Sequence, residues 1–148
     1  MFQIQIQDDC VYSHLTKSFN APFCICYENN FFPDEEWTDF PVAIICMWID
    51  QMRSILEVYQ SHQKFNLFFL DGDFHLECIV CEDKLSIEMF SGNVHQNDVS
   101  IWVKDFLRAL LRAINKIELL MERHQYEHSS EYDTLEEKKK WVVRYLKK

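Results

Sequence analysis

Four groups of residues raise the question of metal, redox, hydrolytic or recognition chemistry. Cys78-Ile79-Val80-Cys81 is a CxxC motif, and redox or zinc chemistry needs both sulfurs on one side of a turn or at a helix start. The motif falls in a segment that reads as a strand, where positions three apart face opposite ways, and no second CxxC completes a zinc set. A core cysteine plus a strand-end cysteine is the expectation. His75 and Cys81 would share a strand face with Glu77, whereas His14, His62, His95, His124 and His128 are scattered through polar segments. His124 and His128 have ligand spacing if helical, but a solvated cationic helix end accounts for them without a metal.

Asp71 and Asp73 bracket Gly72 and raise the paired-carboxylate chemistry of hydrolases. A hairpin turn places polar residues at the same positions, and no glycine-lined pocket accompanies them. No catalytic residue, cofactor or metal ligand is therefore expected. The fourth group is the acidic and aromatic run from Phe31 to Phe40, in which Phe31, Phe32 and Trp37 stand beside Asp34, Glu35, Glu36 and Asp39. Desolvatable anchors next to steering charge are what fast, tight protein interfaces combine. The competing account is a loop that pins its aromatics onto the core and exposes only its acids; both stay open at this point.

Composition narrows the function classes. With 148 residues, 48% of them hydrophobic, and 12 Phe, 6 Tyr and 4 Trp, the chain suffices for one domain with its own core. Only 2 Gly and 3 Pro occur, which removes glycine-rich phosphate loops and flexible linkers. The N-terminal residues lack the basic and apolar regions of a signal peptide, and no apolar run has the length of a membrane span. A cytoplasmic protein with six reduced cysteines follows as the expectation.

The net charge of −9 is unevenly spread. Residues 1–40 and residues 65–98 each hold seven acids and one base, whereas residues 99–148 hold eight acids and eleven bases. Phosphates would be repelled by the acidic part, so nucleic acid is not an expected partner and a basic protein surface is. The Lys138-Lys139-Lys140 run, diluted by Glu136 and Glu137, reads as a wet helix face.

Periodicity predicts the strands and helices that carry these groups. Phe2, Ile4 and Ile6 alternate with glutamines, predicting a half-buried strand, and a second strand is predicted from Phe23 to Tyr27 after Pro22. Residues 28–40 read as a loop. Pro41 suits a first helical position, and from Val42 to about Ser61 apolar residues recur at three and four, predicting a central helix. Phe65–Leu70, Phe74–Cys81 and Lys84–Phe90 form a predicted antiparallel meander whose first turn is Asp71-Gly72. A long helix is predicted from a cap at Asn97 or Asp98, and a last helix from a capping box at Thr134 and Glu137, docking through Trp141. The fold class is thus α+β: an antiparallel sheet of four to five strands in a single domain spanning 1–148, with three helices packed mainly on one face.

Trp37 through Phe40-Pro41, the helix containing Cys46-Met47-Trp48-Ile49, and the hairpin Phe68-Phe69-Leu70-Asp71-Gly72-Asp73-Phe74 together resemble small bacterial immunity proteins of polymorphic or contact-dependent growth-inhibition toxin systems. The likeness spans roughly residues 37–81. It implies a cytoplasmic antidote, not an enzyme, that binds one cognate toxin domain and blocks its active site. Acidic charge agrees independently, because a nuclease that attracts phosphate has a basic cleft. The partner-binding residues expected are Asp34, Glu35, Glu36, Trp37, Asp39, Asp71, Asp73, Glu82 and Asp83. The alternatives are a small enzyme with a pocket lined by His75, Glu77 or Cys81, and a structural subunit that self-assembles.

Overall fold

The computed structural model describes every residue of the chain except 14, 16, 17 and 59–61, so the predicted helix end near Ser61 and His14 lie outside the described residues. Strand β1 (Gln3–Ile6) buries Ile4 and Ile6 as its alternation requires. It pairs antiparallel with β3 (Ser18–Tyr27), from Gln3 opposite Cys26 to Ile6 opposite Phe23. Strand β3 is the hub of a five-stranded sheet, since β2 (Val11–Ser13), β4 (Asn30–Phe32) and β5 (Thr38–Asp39) also pair with it.

Two expectations change here. The strand runs straight through Pro22, because the ladder there uses the Pro22 carbonyl, which accepts from Gln7 N at 3.3 Å, and the Phe23 N–H, which donates to Trp37 O at 2.7 Å. The N–H that proline lacks is not called upon. Residues 28–40 are also less irregular than expected: Glu28 (φ 50°) and Asn29 (φ 66°) form a two-residue hairpin turn that leads into β4, and positive φ at both central positions is what that turn demands.

The second sheet has four strands in chain order: β6 (Lys64–Phe68), β7 (Phe74–Cys81), β8 (Lys84–Ser91) and β9 (Val94–Trp102). Two antiparallel sheets therefore stand where one was expected. The predicted helix cap at Asn97 or Asp98 is replaced by β9, and helix α2 (Val103–Arg123) starts only after it. Gly92 (φ 59°) opens a two-residue turn that reverses the chain, and Val99 and Ile101 are buried between exposed Ser100 and Trp102. That period of two was masked by the polar stretch 95–98.

Helix α1 (Pro41–Val58) begins at Pro41 as predicted and buries Ile44, Ile45, Trp48, Ile49 and Met52 completely. Trp48 packs edge-on against Phe23 and Phe69 and stacks on Phe106 of α2, while its Nε1 donates to Phe68 O at 2.9 Å. One side chain thus ties both sheets to both long helices. Helix α3 (Ser130–Leu146) is capped by Ser129, whose hydroxyl accepts from Tyr132 N at 3.2 Å. It starts earlier than the Thr134 box predicts; Thr134 Oγ1 instead donates to Ser130 O within the helix at 3.0 Å. Trp141 is buried and donates to Glu57 Oε1 at 3.1 Å, which docks α3 on α1.

In the four-stranded sheet Leu76, Cys78, Val80, Leu85, Ile87, Met89, Val99 and Ile101 face the helices and join one contiguous core. The other face of that sheet is left to solvent. Among the described residues no helix is long and apolar enough to cross a membrane.

Candidate protein-binding surface

The acidic loop is organised around one inward carboxylate. Asp39 is only 1% exposed. Its oxygens accept from Trp37 Nε1 at 2.9 Å, from Phe40 N at 2.8 Å, and from Asp71 N at 3.1 and 3.2 Å. A buried carboxylate met by three donors is a clamp between segments, so Asp39 departs from the exposed role expected of it. Trp37 is half-buried: its ring lies 4.8 Å from that of Phe74 and covers Gly72. The loop pins Trp37 and Phe32 inward, and what it presents is the acidic tip.

At that tip Asp34, Glu35 and Glu36 are all exposed. Asp34 Oδ1 accepts from Glu36 N at 2.8 Å and its carbonyl accepts from Trp37 N at 3.2 Å, which closes the turn. The clamp brings the exposed Asp71 and Asp73 beside the segment that carries this tip. Glu82 and Asp83 are not part of the group. They sit at the far end of β7, and at roughly 3.3 Å per strand residue they lie about 30 Å from Asp73.

Sequence reasoning missed a second set of acids on the open face of the four-stranded sheet. Strand register makes Glu77 directly opposite Glu88, and Glu88 directly opposite Asp98. One pleat away His75 opposes Phe68 on one side and Phe90 on the other, and Phe90 opposes His95. The rings form a ladder: Phe68 to His75 at 5.9 Å, His75 stacked on Phe90 at 5.2 Å with 7° between planes, and Phe90 edge-on to His95 at 5.4 Å. A row of carboxylates therefore runs beside a row of rings, and Asp73 leads into both from the end of β7.

The ladder depends on a bulge. Met89 opposes Asn97 but Phe90 opposes His95, leaving Gln96 as an extra residue. Without it His95 and Asp98, three apart, would face opposite sides. With it His95 Nε2 bonds Asp98 Oδ1, just as His75 Nε2 meets Glu77 Oε2 at 3.0 Å. Donor atoms of Glu88, His95 and Asp98 lie within 4.8 Å of one another, and one imidazole with two carboxylates is a set able to hold a divalent metal; all three are exposed.

Four lysines and arginines of the C-terminal part pair with acids elsewhere. Lys116 pairs with Asp8, Lys138 with Asp50 at 2.7 Å, Lys139 with Glu118 at 2.8 Å, and Arg108 with Asp105 at 2.9 Å. Among the described residues no lysine or arginine forms an ion pair with Asp34, Glu35, Glu36, Asp71, Asp73, Glu77, Glu88 or Asp98.

The features that suggested catalysis are arranged otherwise. Burial pushes the Cys24 thiol up to about 12 and the Cys46 thiol up to about 11, and it raises that of Cys78 as well, which disfavours the reactive thiolate. Cys78 is buried and Cys81 faces the opposite side of β7, where its Sγ lies 3.7 Å from His62 Nε2. His124 and His128 fall between α2 and α3 rather than on a helix. A cleft of about 300 Å³ between the sheets is lined by Tyr27, Asn30, Phe31, Phe74, Gln96 and Asn97 among others. His75, Glu77 and Cys81 do not line it; they lie on the sheet's open face. Comparison with family models, with curated proteins and with solved structures finds no match to this chain.

Proposed function

We propose that the chain neutralises a cationic protein toxin domain by binding over its active cleft, with a basic nuclease as the target class. The observation that carries this reading is the set of exposed carboxylates at Asp34, Glu35, Glu36, Asp71 and Asp73, continued by Glu77, Glu88 and Asp98, that no lysine or arginine of the chain neutralises among the described residues. A fold that has eleven bases in its last fifty residues and directs the four of them that form ion pairs to other acids retains an uncompensated negative field. Such a field accelerates encounter with a positive surface and repels nucleic acid. The resemblance of residues 37–81 to immunity proteins supplies the target class.

The test is inhibition of a basic toxin nuclease domain, sought first in the gene immediately upstream of this chain's own. Stoichiometric wild-type chain is expected to abolish its activity, and D34K/E35K/E36K to raise the inhibitor concentration needed by on the order of tenfold or more. Full inhibition by the reversed variant at wild-type concentrations contradicts the reading.

A further inference from the structure

We propose that the open face of the four-stranded sheet is a docking site for arginine side chains of a protein partner; this rests on the reading that the partner is cationic, and it names which cation the face is built to take. The face is a grid. Rings of Phe68, His75, Phe90 and His95 occupy one row, and carboxylates of Glu77, Glu88 and Asp98 occupy the next. Alternate residues of a strand are about 6.7 Å apart, so a cation seated against the ring row, whose central rings stack on one another, is within reach of the carboxylate row. The molecule itself demonstrates the reach: imidazole nitrogens of His75 and His95 already bond the carboxylates of Glu77 and Asp98 across that gap.

Glu88, in the middle of the acid row, is exposed and accepts no hydrogen bond from any described residue. It faces another carboxylate on each side, an arrangement that costs stability in a sheet. Placing a cation between them removes that repulsion. Guanidinium suits the site better than ammonium, because its plane stacks on aromatic faces while its fork of N–H donors meets carboxylates two at a time, and it sheds water more readily. Phe68, 51% exposed at one end of the ladder, extends the apolar floor on which the arginine stem can lie.

Octa-arginine and octa-lysine peptides, matched in charge and ionic strength, are titrated into the full chain while backbone amide NMR shifts are followed. The expected result is that octa-arginine binds about tenfold more tightly, the increment that stacking plus bidentate pairing provides, with shifts centred on residues 75–77, 88–90 and 95–98. Phe90→Leu, which keeps an apolar side chain in place, is expected to reduce the arginine preference to less than about threefold, while Glu88→Gln weakens both peptides. Equal affinity for the two peptides, or shifts confined to residues 34–36 and 71–73, overturns the proposal. So does an unchanged preference in Phe90→Leu when urea denaturation shows that variant folded. Discrimination that persists although no toxin is neutralised leaves this face intact and removes the inhibitor reading; neutralisation without discrimination removes this face alone.

Discussion

Glu77 and Glu88 face each other as direct neighbours on adjacent strands, and Glu88 faces Asp98 on its other side. Like charges directly opposed across a sheet each cost about 0.2–1 kcal/mol. Glu88→Gln relieves both oppositions at once, so its expected effect is a gain of roughly 0.5–1 kcal/mol in urea denaturation. A loss of stability would show that Glu88 is held by the fold rather than tolerated by it.

Asp39 is expected to behave in the opposite sense to its acidic neighbours. Removing its carboxylate leaves the Trp37 Nε1–H and the N–H groups of Phe40 and Asp71 without their acceptor, and unsatisfied buried donors cost about 1–3 kcal/mol. Asp39→Ala should therefore destabilise the chain by about 3 kcal/mol, whereas Asp34→Ala should change little. Equal, small effects at both positions would contradict the clamp.

Gly72 has φ 90°, and a Cβ there would meet Trp37 Cη2 at 2.8 Å. Strain at such a φ costs about 1–3 kcal/mol, and the overlap adds to it. Gly72→Ala is expected to cost clearly more in the wild-type background than in Trp37→Leu, which opens the space. A double-mutant cycle by urea denaturation measures the difference, and strict additivity would mean that the ring does not set the limit.

Burial raises the carboxyl of Glu131 to about 7; burial, with Glu136 beside it, raises that of Glu118 to about 7 against the opposing pull of Lys139. Both values lie above the ordinary 4.5 of an unfolded chain, so the native state holds more protons between these limits. Stability from these groups is complete below pH about 4.5, falls as pH rises toward about 7, and levels above it. Glu131→Gln should flatten part of this decline in denaturation curves collected across that range. An identical slope in the variant would remove Glu131 from the account.

The fold was legible where periodicity was clean. Phe2-Gln3-Ile4-Gln5-Ile6, the Pro41 helix, the Asp71-Gly72 turn and the meander from Phe65 to Phe90 all form as their spacing predicts. The exposed tip Asp34, Glu35 and Glu36 was legible for the same reason, as a polar run between buried elements. Asp39 was not, because what distinguishes it from Asp34 is a backbone N–H contributed from 32 residues further along the chain. The acid row was not legible either. Glu77 and Glu88 were assigned to strands, but their opposition to Asp98 depends on β9, whose polar start hid its period, and on the extra residue Gln96, which no local pattern announces.

An uncompensated negative surface that recognises a cationic protein acts first on the rate of encounter. The association rate of the chain with a basic toxin nuclease domain, sought first in the gene immediately upstream of its own, is measured by stopped flow from about 10 mM to about 500 mM salt. The rate constant is expected to fall by on the order of 100-fold over this range, and the fall to shrink in D34K/E35K/E36K and in Glu88→Lys. A rate constant that is flat with salt, or a salt dependence unchanged in both variants, contradicts recognition by that surface.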